Sequence, residues 1–472
     1  MATKQSVNIK EAIDSQKGLS GFALIMFVLS AALMWVDGYD NSTLSMTVSA
    51  MAHDWGYTRA DFGWVMSVQN IGLIFGAFIF GWIGDRIGRK KTIMAALVLF
   101  GACTIGCTLT TDLWPLAIMR LVTSLGVGGI TPCIVAINND YAPEHSKMKR
   151  VTTLFFGMNF GSATSGLIAA ALLGPFGWKA IYYFGGIAPF ILLVFVVPFI
   201  PESISWLTLN KPDTAGPQIL KALKKIAPSY AEGCDENTKF EWNVAVDKKK
   251  KQGKVSDLLE GKLKWVTPLL WANFIICLFI AYFFRSWIPT ILVMKGMTDA
   301  EAAAVFSIMM FGSMAGSLTV GFVLDKIGLR KAAIFPIGVF IFANAFALAP
   351  TAIAPFLIIG LGFFQSYSYD VNPSMTPLFY PLNLRSTASG LNLGIGRIGS
   401  LIAPYVGGLM LATGWTAPMM LLCVTIPEFA SMAIIFAMMT AYNKHFRGMY
   451  AGEGEHAEPA AVEAGPTEEK QE

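Results

Sequence analysis

The stretch GWIGDRIGRKK, residues 81–91, joins two long apolar segments, and a similar stretch, GFVLDKIGLRK, occupies residues 321–331. The two copies are 240 residues apart, and charged residues that align with charged residues keep their sign. Each copy follows the second apolar segment of a group of six. This arrangement indicates an internal duplication, and parallel repeats in a membrane protein place a central cavity between the two halves.

The composition places most of the chain in a lipid bilayer. The chain has 472 residues, of which 54% are hydrophobic and 14% are charged, with a mean hydropathy of +0.55, whereas soluble domains carry roughly 25% charged residues. The net charge of +4 is too small to indicate nucleic-acid binding. The six cysteines include no CxxC pair and no Cys/His cluster, so we predict no disulfide framework and no metal site.

A helix needs about 20 apolar residues to cross the hydrocarbon core. The first apolar segment meets this length, so we expect a retained helix and not a cleaved signal peptide. The sequence predicts an all-α, polytopic membrane protein with twelve transmembrane helices in two six-helix halves. The predicted spans are 20–46, 63–84, 92–111, 115–138, 152–173, 179–200, 265–292, 302–323, 332–350, 353–379, 388–411 and 416–441.

Lysine and arginine concentrate in the loops after spans 2, 4, 8 and 10 and after span 12. The positive-inside rule therefore predicts that both termini are cytoplasmic in a cell membrane, inner or plasma. The predicted organisation is a cytoplasmic tail, a first bundle, a linker, a second bundle and a disordered acidic tail. Their residues are 1–19, 20–207, 208–262, 263–445 and 446–472. The linker contains KKKK at 248–251 and an amphipathic stretch, QILKALKKIA at 218–227; we favour a solvated linker over a helix on the membrane surface.

Two acids, Asp37 and Asp40, lie within predicted span 1 in the stretch WVDGYDNST, residues 35–43. Acids inside a membrane usually face a cavity or a partner and mark ion or proton paths. Their i, i+3 spacing puts both on one helix face, and their mutual repulsion favours protonation of at least one. We predict a proton-coupling role, leaving open which acid carries the proton. Arg120 enters span 4 at a depth similar to that of Asp40, and an Asp40–Arg120 pair would act as a clamp or as a switch.

The repeated loop has its own physical logic. Gly81 and the later glycines allow tight turns and close helix approach. Asp85 can meet a helix N-terminus or an arginine such as Arg86 or Arg89. The loop could be a latch that holds the two bundles together in one state, or only an anchor of topology; we expect both. In the second copy, Asp325 corresponds to Asp85 and Arg330 corresponds to Lys90.

The loop at 81–91 resembles the GxxxDRxGR[KR][KR] signature of the major facilitator superfamily. Two further stretches are similar to that superfamily, RLVTSLGVGG beginning at Arg120 and PESISWL at 201–207. The resemblance covers about residues 20–445. It implies two rigid bundles that transport a solute by alternating access.

Two stretches narrow the resemblance to the aromatic acid:proton symporter family. They are the D-G-x-D motif of span 1 and the run FYPLNLRSTASGLNLGIGRIGSLIAPYVGG at 379–408. The family implies proton-coupled uptake of benzoates, hydroxylated aromatic acids or related carboxylates such as muconates. Asp37, Asp40, Asp85, Arg89 and Arg120 match its motifs residue by residue. Arg385 and Arg397 match the two arginines of the late run, and Asp140 stands where the family usually has glutamate.

Several residues are candidates for contact with the substrate. Arg397 lies near the middle of span 11, where a cation needs an anionic partner: a substrate carboxylate or an acid on another helix. Arg285 would be a second anchor or would reach only the membrane interface. Span 10 carries the polar run QSYSYDVNPSM, 365–375, in which Gln365 and Asp370 are candidates; an Asp370–Arg397 pair is the structural alternative. Tyr39 is included because it flanks the carboxylates.

We predict symport of an organic acid anion. The favoured substrate is an aromatic carboxylate or a ring-cleavage product such as a muconate or lactone acid. The predicted partners are the substrate, protons and the lipid bilayer. We expect no cofactor, because the proton gradient supplies the energy, and we expect a monomer. The alternatives are a transporter of a sugar or zwitterion and, less favoured, a receptor that binds without transport. No HExxH, GxSxG or metal-ligand pattern indicates an enzyme.

Overall fold

The computed structural model describes residues 6–16, 20–211, 214–232, 234, 238–241 and 254–446. The lysine run at 248–251 and all but the first residue of the predicted acidic tail lie outside these residues. Twelve helices in the described ranges are long and apolar enough to cross a membrane, which confirms the predicted number.

We number these helices as spans 1 to 12. Spans 1 to 6 are Gly21–Trp55, Phe62–Ile87, Arg89–Gly106, Leu113–Asp140, Glu144–Phe176 and Trp178–Phe199. Spans 7, 8, 10 and 11 are Leu263–Met294, Asp299–Ile327, Ala354–Phe379 and Leu382–Ala412. Span 9, Leu329–Leu348, begins with the short helix Leu329–Ala332 and continues as Phe335–Leu348, and span 12 has two segments, Ala417–Thr425 and Pro427–His445. Span 1 extends nine residues beyond its predicted end at 46, because hydropathy reports only the apolar part of a helix and not its polar extension.

Shorter elements connect the spans. The short α-helices are Ile9–Asp14, Ile204–Asn210, Gly216–Ile226, Pro228–Ala231 and Leu329–Ala332. The 3-10 helices are Arg59–Asp61, Cys107–Leu109, Val255–Leu259 and Thr351–Ile353. Two three-residue strands, Ser6–Asn8 and Lys239–Glu241, pair in parallel with Ser6 opposite Lys239. This small ribbon is the one departure from the all-α prediction in the described chain.

The duplication is visible in the helix packing. A Cβ added at Gly72 or Gly76 of span 2 would lie 2.4 or 2.3 Å from a carbonyl oxygen of span 4. A Cβ added at Gly312 or Gly316 of span 8 would lie 2.4 or 2.6 Å from a carbonyl oxygen of span 10. Small residues let membrane helices approach closely, since lipid tails provide no hydrophobic force between helices. Both halves therefore use the same glycine pair for the same contact.

Three hydrophobic cores divide the molecule. The shared core contains residues of both halves, for example Met51 and Phe62 with Trp287 and Phe306, and lies on the face opposite the two chain ends. On the face of the chain ends, the first half has its own core, which includes Ile134. The second half has a separate core there. The halves are therefore packed together on one face of the bundle and packed separately on the other.

The first part of the linker is folded onto the protein, which corrects our expectation of a solvated segment. Helix Gly216–Ile226 buries Leu223 completely and Ile219 and Ile226 nearly so. These side chains belong to the same core as Ile9 and Ile13 of the N-terminal helix. The amphipathic pattern was identified correctly, but a protein surface, and not the membrane or water, takes up the apolar face.

We expect Gly76→Ala to lower the thermal unfolding midpoint of the purified protein, because its Cβ would meet the Leu125 carbonyl oxygen at 2.3 Å. Overpacking of this kind costs about 1–3 kcal/mol. Gly81→Ala is the matched control, since a Cβ at Gly81 meets nothing within 4 Å. Equal midpoints for the two variants would show that the close contact between spans 2 and 4 is not needed.

Candidate functional site

The four residues of the D-G-x-D motif, Asp37 to Asp40, contact three different helices. Asp37 and Asp40 reach span 4, as their shared face predicted. Gly38 packs on span 5, where an added Cβ would lie 1.9 Å from the Met158 carbonyl oxygen. Tyr39 turns to span 6 and donates a hydrogen bond to the Ile181 carbonyl at 3.0 Å. The motif therefore connects span 1 to spans 4, 5 and 6.

Asp40 and Arg120 form a buried ion pair between spans 1 and 4. The two guanidinium nitrogens of Arg120 donate to the two carboxylate oxygens of Asp40 at 2.8 and 3.0 Å. Arg120 also donates to the Asp40 carbonyl at 3.2 Å and, through Nε, to Gln69 at 3.3 Å. Arg120 is 0% exposed and Asp40 is 2% exposed. The geometry favours a clamp, because four of the five N–H groups of Arg120 are used within the protein; our placement of Arg120 among the substrate-binding residues remains a prediction.

Asp37 has no such partner. Its carboxylate accepts one hydrogen bond, from the Thr131 hydroxyl of span 4 at 2.7 Å, and it forms no ion pair within the described residues. Arg285 and Arg397 of the second half are near enough for their charges to act on it. The two acids of the motif are thus in different situations: Asp40 is held against a fixed cation, whereas Asp37 has one hydroxyl donor and no ion-pair partner among the described residues.

Arg285 faces the interior, not the membrane interface. It lines a pocket between spans 1, 2 and 7 together with Asn41, Ser45 and Asn70. Its guanidinium lies 5.8 Å from the centre of the Tyr282 ring. Gln69 lines the same pocket and also accepts from Arg120, so one amide connects the pocket wall to the buried ion pair.

Neither Arg285 nor Arg397 has a carboxylate partner in the part of the chain that the structure describes. Arg397 lies in span 11, half-buried, and the structural alternative of an Asp370–Arg397 pair is not observed. Asp370 instead accepts a hydrogen bond from Ser317 of span 8 at 2.7 Å. Two cations of the second half therefore lie within electrostatic reach of Asp37, and neither forms an ion pair within the described residues.

The polar run of span 10 contacts several neighbouring helices. Asp370 bonds to span 8, and Asn372 contacts Asn273 of span 7. Ser368 donates to Glu428 of span 12 at 3.0 Å. Gln365 is 8% exposed, and both its amide atoms lack a partner in the described chain. These contacts give Asp370 a role between helices; our placement of Asp370 and Gln365 at the substrate remains a prediction.

Tyr39 does not support the role we expected for it. The side chain is 1% exposed and packs between Trp35 and Phe184, with ring centroids 5.9 and 5.4 Å away. Its hydroxyl is engaged by span 6. Sequence proximity to the carboxylates misled the prediction, because adjacent residues of a helix point about 100° apart.

A polar network joins the first copy of the repeated loop to the end of span 4. Arg89 contacts Asp85 at 3.7 Å and Asp140 at 3.4 Å, and donates to Ser203 at 3.0 Å. Asp140 also accepts from Ser203 and, at 2.8 Å, from Ser205. The PESISWL stretch therefore packs on the loop, and Trp206 donates to the Asp85 carbonyl at 2.9 Å.

All partners of this network lie in the first half, so the expected latch between the halves is not formed in this structure. Arg86 lies over the Trp82 ring at 3.8 Å. A Cβ added at Gly81 would meet no other atom within 4 Å. Gly88 adopts φ 109° at the turn, and Gly328 adopts φ 75° in the second copy, which explains the repeated glycine.

The second copy makes fewer polar contacts. Arg330 lies over the Phe436 ring at 4.9 Å, and Asp325 forms no ion pair within the described ranges. Arg385 donates from Nε to the Tyr380 carbonyl at 3.0 Å and so stays within its own loop. Any gating role of these residues therefore belongs to another state of the molecule.

Glu428, in span 12, is a buried acid that the sequence reading missed. It is 1% exposed and lies inside the predicted span 416–441. A search for every acid inside a predicted span would have found it. Attention to the family motifs directed the reading to spans 1, 4 and 11 instead.

The profile of the Major Facilitator Superfamily matches residues 23–295 and 274–447 of the chain. The chain belongs to this superfamily. The transporter is 30% identical over 442 residues to the 4-hydroxybenzoate transporter PcaK of Acinetobacter baylyi, a match covering 92% of this chain and 95% of that protein. It is 28% identical over 443 residues to the gallate transporter of Pseudomonas putida, covering 91% and 95%.

The fold is shared with solved transporter structures. A bacterial homolog of the human lysosomal transporter Spinster superposes with a TM-score of 0.67 at 14% identity, covering 91% of this chain and 98% of that one. The predicted fold and the resemblance to aromatic acid transporters are confirmed. The transporter is a multi-pass membrane protein and not an enzyme.

Asp40→Asn should destabilise the transporter strongly, because it leaves the buried Arg120 charge uncompensated; breaking such a pair costs about 3–5 kcal/mol. The double variant Asp40→Asn/Arg120→Gln removes both charges and should recover part of the loss. Thermal unfolding of the purified protein and its yield measure both effects. A single variant as stable as the original chain would exclude the clamp.

Proposed function

We propose that the transporter takes up an aromatic carboxylate together with protons by alternating access. One observation carries the proposal: Arg285 and Arg397 of the second half act electrostatically on Asp37, and neither forms an ion pair with a carboxylate in the described chain. A cation in a membrane bundle needs an anion, and guanidinium groups bind carboxylates through paired hydrogen bonds. The named substrates of the relatives, 4-hydroxybenzoate and gallate, are aromatic acids and support this class.

The charges explain why a proton and an anion would travel together. When Asp37 is ionised, its negative charge competes with a substrate carboxylate for the two arginines. When Asp37 is protonated, both arginines are available to the substrate. Binding of the proton therefore favours binding of the anion, and by linkage the anion favours the proton to the same extent.

The division of the cores supports alternating access. The two halves share a core on one face only, where Gly63 of span 2 packs on Gly408 of span 11. We propose that this structure is the state in which the face of the chain ends is accessible. In the opposite state, the Asp85–Arg89–Asp140 network would meet the second half and act as the latch.

The charge distribution of the loops indicates how the protein is oriented in the membrane. We propose that the protein lies in the cell membrane, inner or plasma, with both termini in the cytoplasm, driven by the proton gradient without a cofactor. Symport suits an anion, because the proton offsets its charge against the membrane potential. Each chain contains both halves and hence the whole cavity, so we propose that a monomer is sufficient.

Arg397→Gln and Arg285→Gln should raise the KM for 4-hydroxybenzoate about 10- to 100-fold, since a hydrogen bond to a charged group contributes about 1.5–3 kcal/mol. Radiolabelled uptake into proteoliposomes with an imposed pH gradient measures this. Lys179→Gln, which removes an exposed cation at the start of span 6, is the control.

Competition in the same vesicles defines the substrate class. Benzoate and hydroxybenzoates should inhibit uptake, and muconate tests the ring-cleavage products. Inhibition by sugars and not by acids would overturn the proposal, as would arginine variants with an unchanged KM.

Asp37→Asn should abolish accumulation driven by a pH gradient while substrate exchange across the membrane continues. Asparagine keeps the shape and an acceptor for Thr131 but cannot titrate. Counterflow and gradient-driven uptake measured side by side separate the two activities. Full accumulation by the variant would show that Asp37 does not carry the coupled proton.

A further inference from the structure

Glu428 lies in the interior of the second half, away from the pocket that Arg285 lines. It follows Pro427, where span 12 is interrupted, and its side chain is 1% exposed. One carboxyl oxygen, Oε2, accepts from Ser368 at 3.0 Å. The other, Oε1, has no hydrogen-bond partner in the described part of the chain.

The groups around Glu428 are polar but offer no cation. Span 7 contributes Cys277, whose sulfur lies 3.6 Å from the Ser431 hydroxyl of span 12. Span 9 contributes Asn344, which bonds to Thr425 one turn before Glu428. Glu428 forms no ion pair within the described residues, and Arg330 of the neighbouring short helix lies over Phe436, about 12 Å further along span 12. Asp370, on span 10, is turned to Ser317 of span 8.

Both protonation states of Glu428 have a physical basis. A carboxylate in the membrane interior without a cation is costly, which favours the protonated form. The start of the helical segment at Pro427 carries partial positive charge, which favours the anion. A carboxyl between two such opposing influences can respond to a small change in its surroundings.

Span 10 connects this carboxyl to the substrate region. Ser368 donates a hydrogen bond to Glu428. The next residue, Tyr369, interacts electrostatically with Arg397. A movement of span 10 during transport would therefore change the contacts of both groups at once.

We propose that Glu428 is a second proton-binding group, which gains and loses a proton once per transport cycle in addition to Asp37. This inference rests on the proposed function. Its site is the buried polar cluster between spans 7, 10 and 12, with Ser368 as the hydrogen-bond donor that follows the motion of span 10.

The direct test is the number of protons carried per substrate, measured from the reversal potential in proteoliposomes with radiolabelled 4-hydroxybenzoate. Glu428→Gln keeps the volume and an acceptor for Ser368. It should lower the stoichiometry by one proton and leave counterflow intact. Glu260→Gln, an exposed acid outside the spans, should change neither. Unchanged stoichiometry in Glu428→Gln would overturn the proposal.

Infrared difference spectroscopy on the purified full chain gives an independent readout that does not need transport. The C=O stretch of a protonated, buried carboxyl should change with pH in the original protein and in Glu260→Gln. The component of this band that belongs to Glu428 should be lost in Glu428→Gln, whereas the component from Asp37 should remain. A spectrum that is the same in all three would refute proton binding at Glu428. If the original protein failed to carry aromatic acids with protons, the proposed function would fail while this spectral test still stood.

Discussion

The bidentate contact between Asp40 and Arg120 ties span 1 to span 4 in the interior of the first half. An ion pair without water contact is tolerable only when each charge has its partner and further donors and acceptors are satisfied. Arg120 meets this condition through Asp40, the Asp40 carbonyl and Gln69. With this pair neutralised, Asp37 remains as the one acid of the motif whose charge can change without breaking the clamp. The proposed proton coupling in the first half depends on that separation of roles.

The two halves differ in how they balance charge. The first half satisfies its arginine internally, and its loop network of Arg89, Asp85 and Asp140 is also closed on itself. The second half presents Arg285 and Arg397 without a carboxylate and buries Glu428 without a cation in the described residues. In the proposed mechanism, this asymmetry provides a place for a substrate anion and acids whose protonation follows the arrival of that anion.

The same glycine pairs build both halves, yet the two halves meet on only one face. Gly72 and Gly76 hold spans 2 and 4 together, as Gly312 and Gly316 hold spans 8 and 10. Contacts of this kind make each half rigid, because backbones touch directly and leave no side chains to rearrange. The freedom of the molecule is therefore concentrated at the surface between the halves, where the shared core ends and the candidate substrate region begins.

Hydropathy, loop charge and the repeated Gly-Asp-Arg stretch were sufficient to predict the twelve spans, the duplication and the superfamily, because a bilayer imposes length, apolarity and charge rules that are local in sequence. They also located both acids of span 1 and their partner Arg120. Only the tertiary structure separated a clamped Asp40 from a free Asp37 and turned Tyr39 away from the cavity. It also directed Arg285 inward, placed Asp370 against Ser317, folded the linker onto the first half and showed Glu428 to be buried. These outcomes depend on which helix lies opposite each side chain. Spacing along one helix defines a face, but the partner that faces it is chosen by packing across more than a hundred residues of chain.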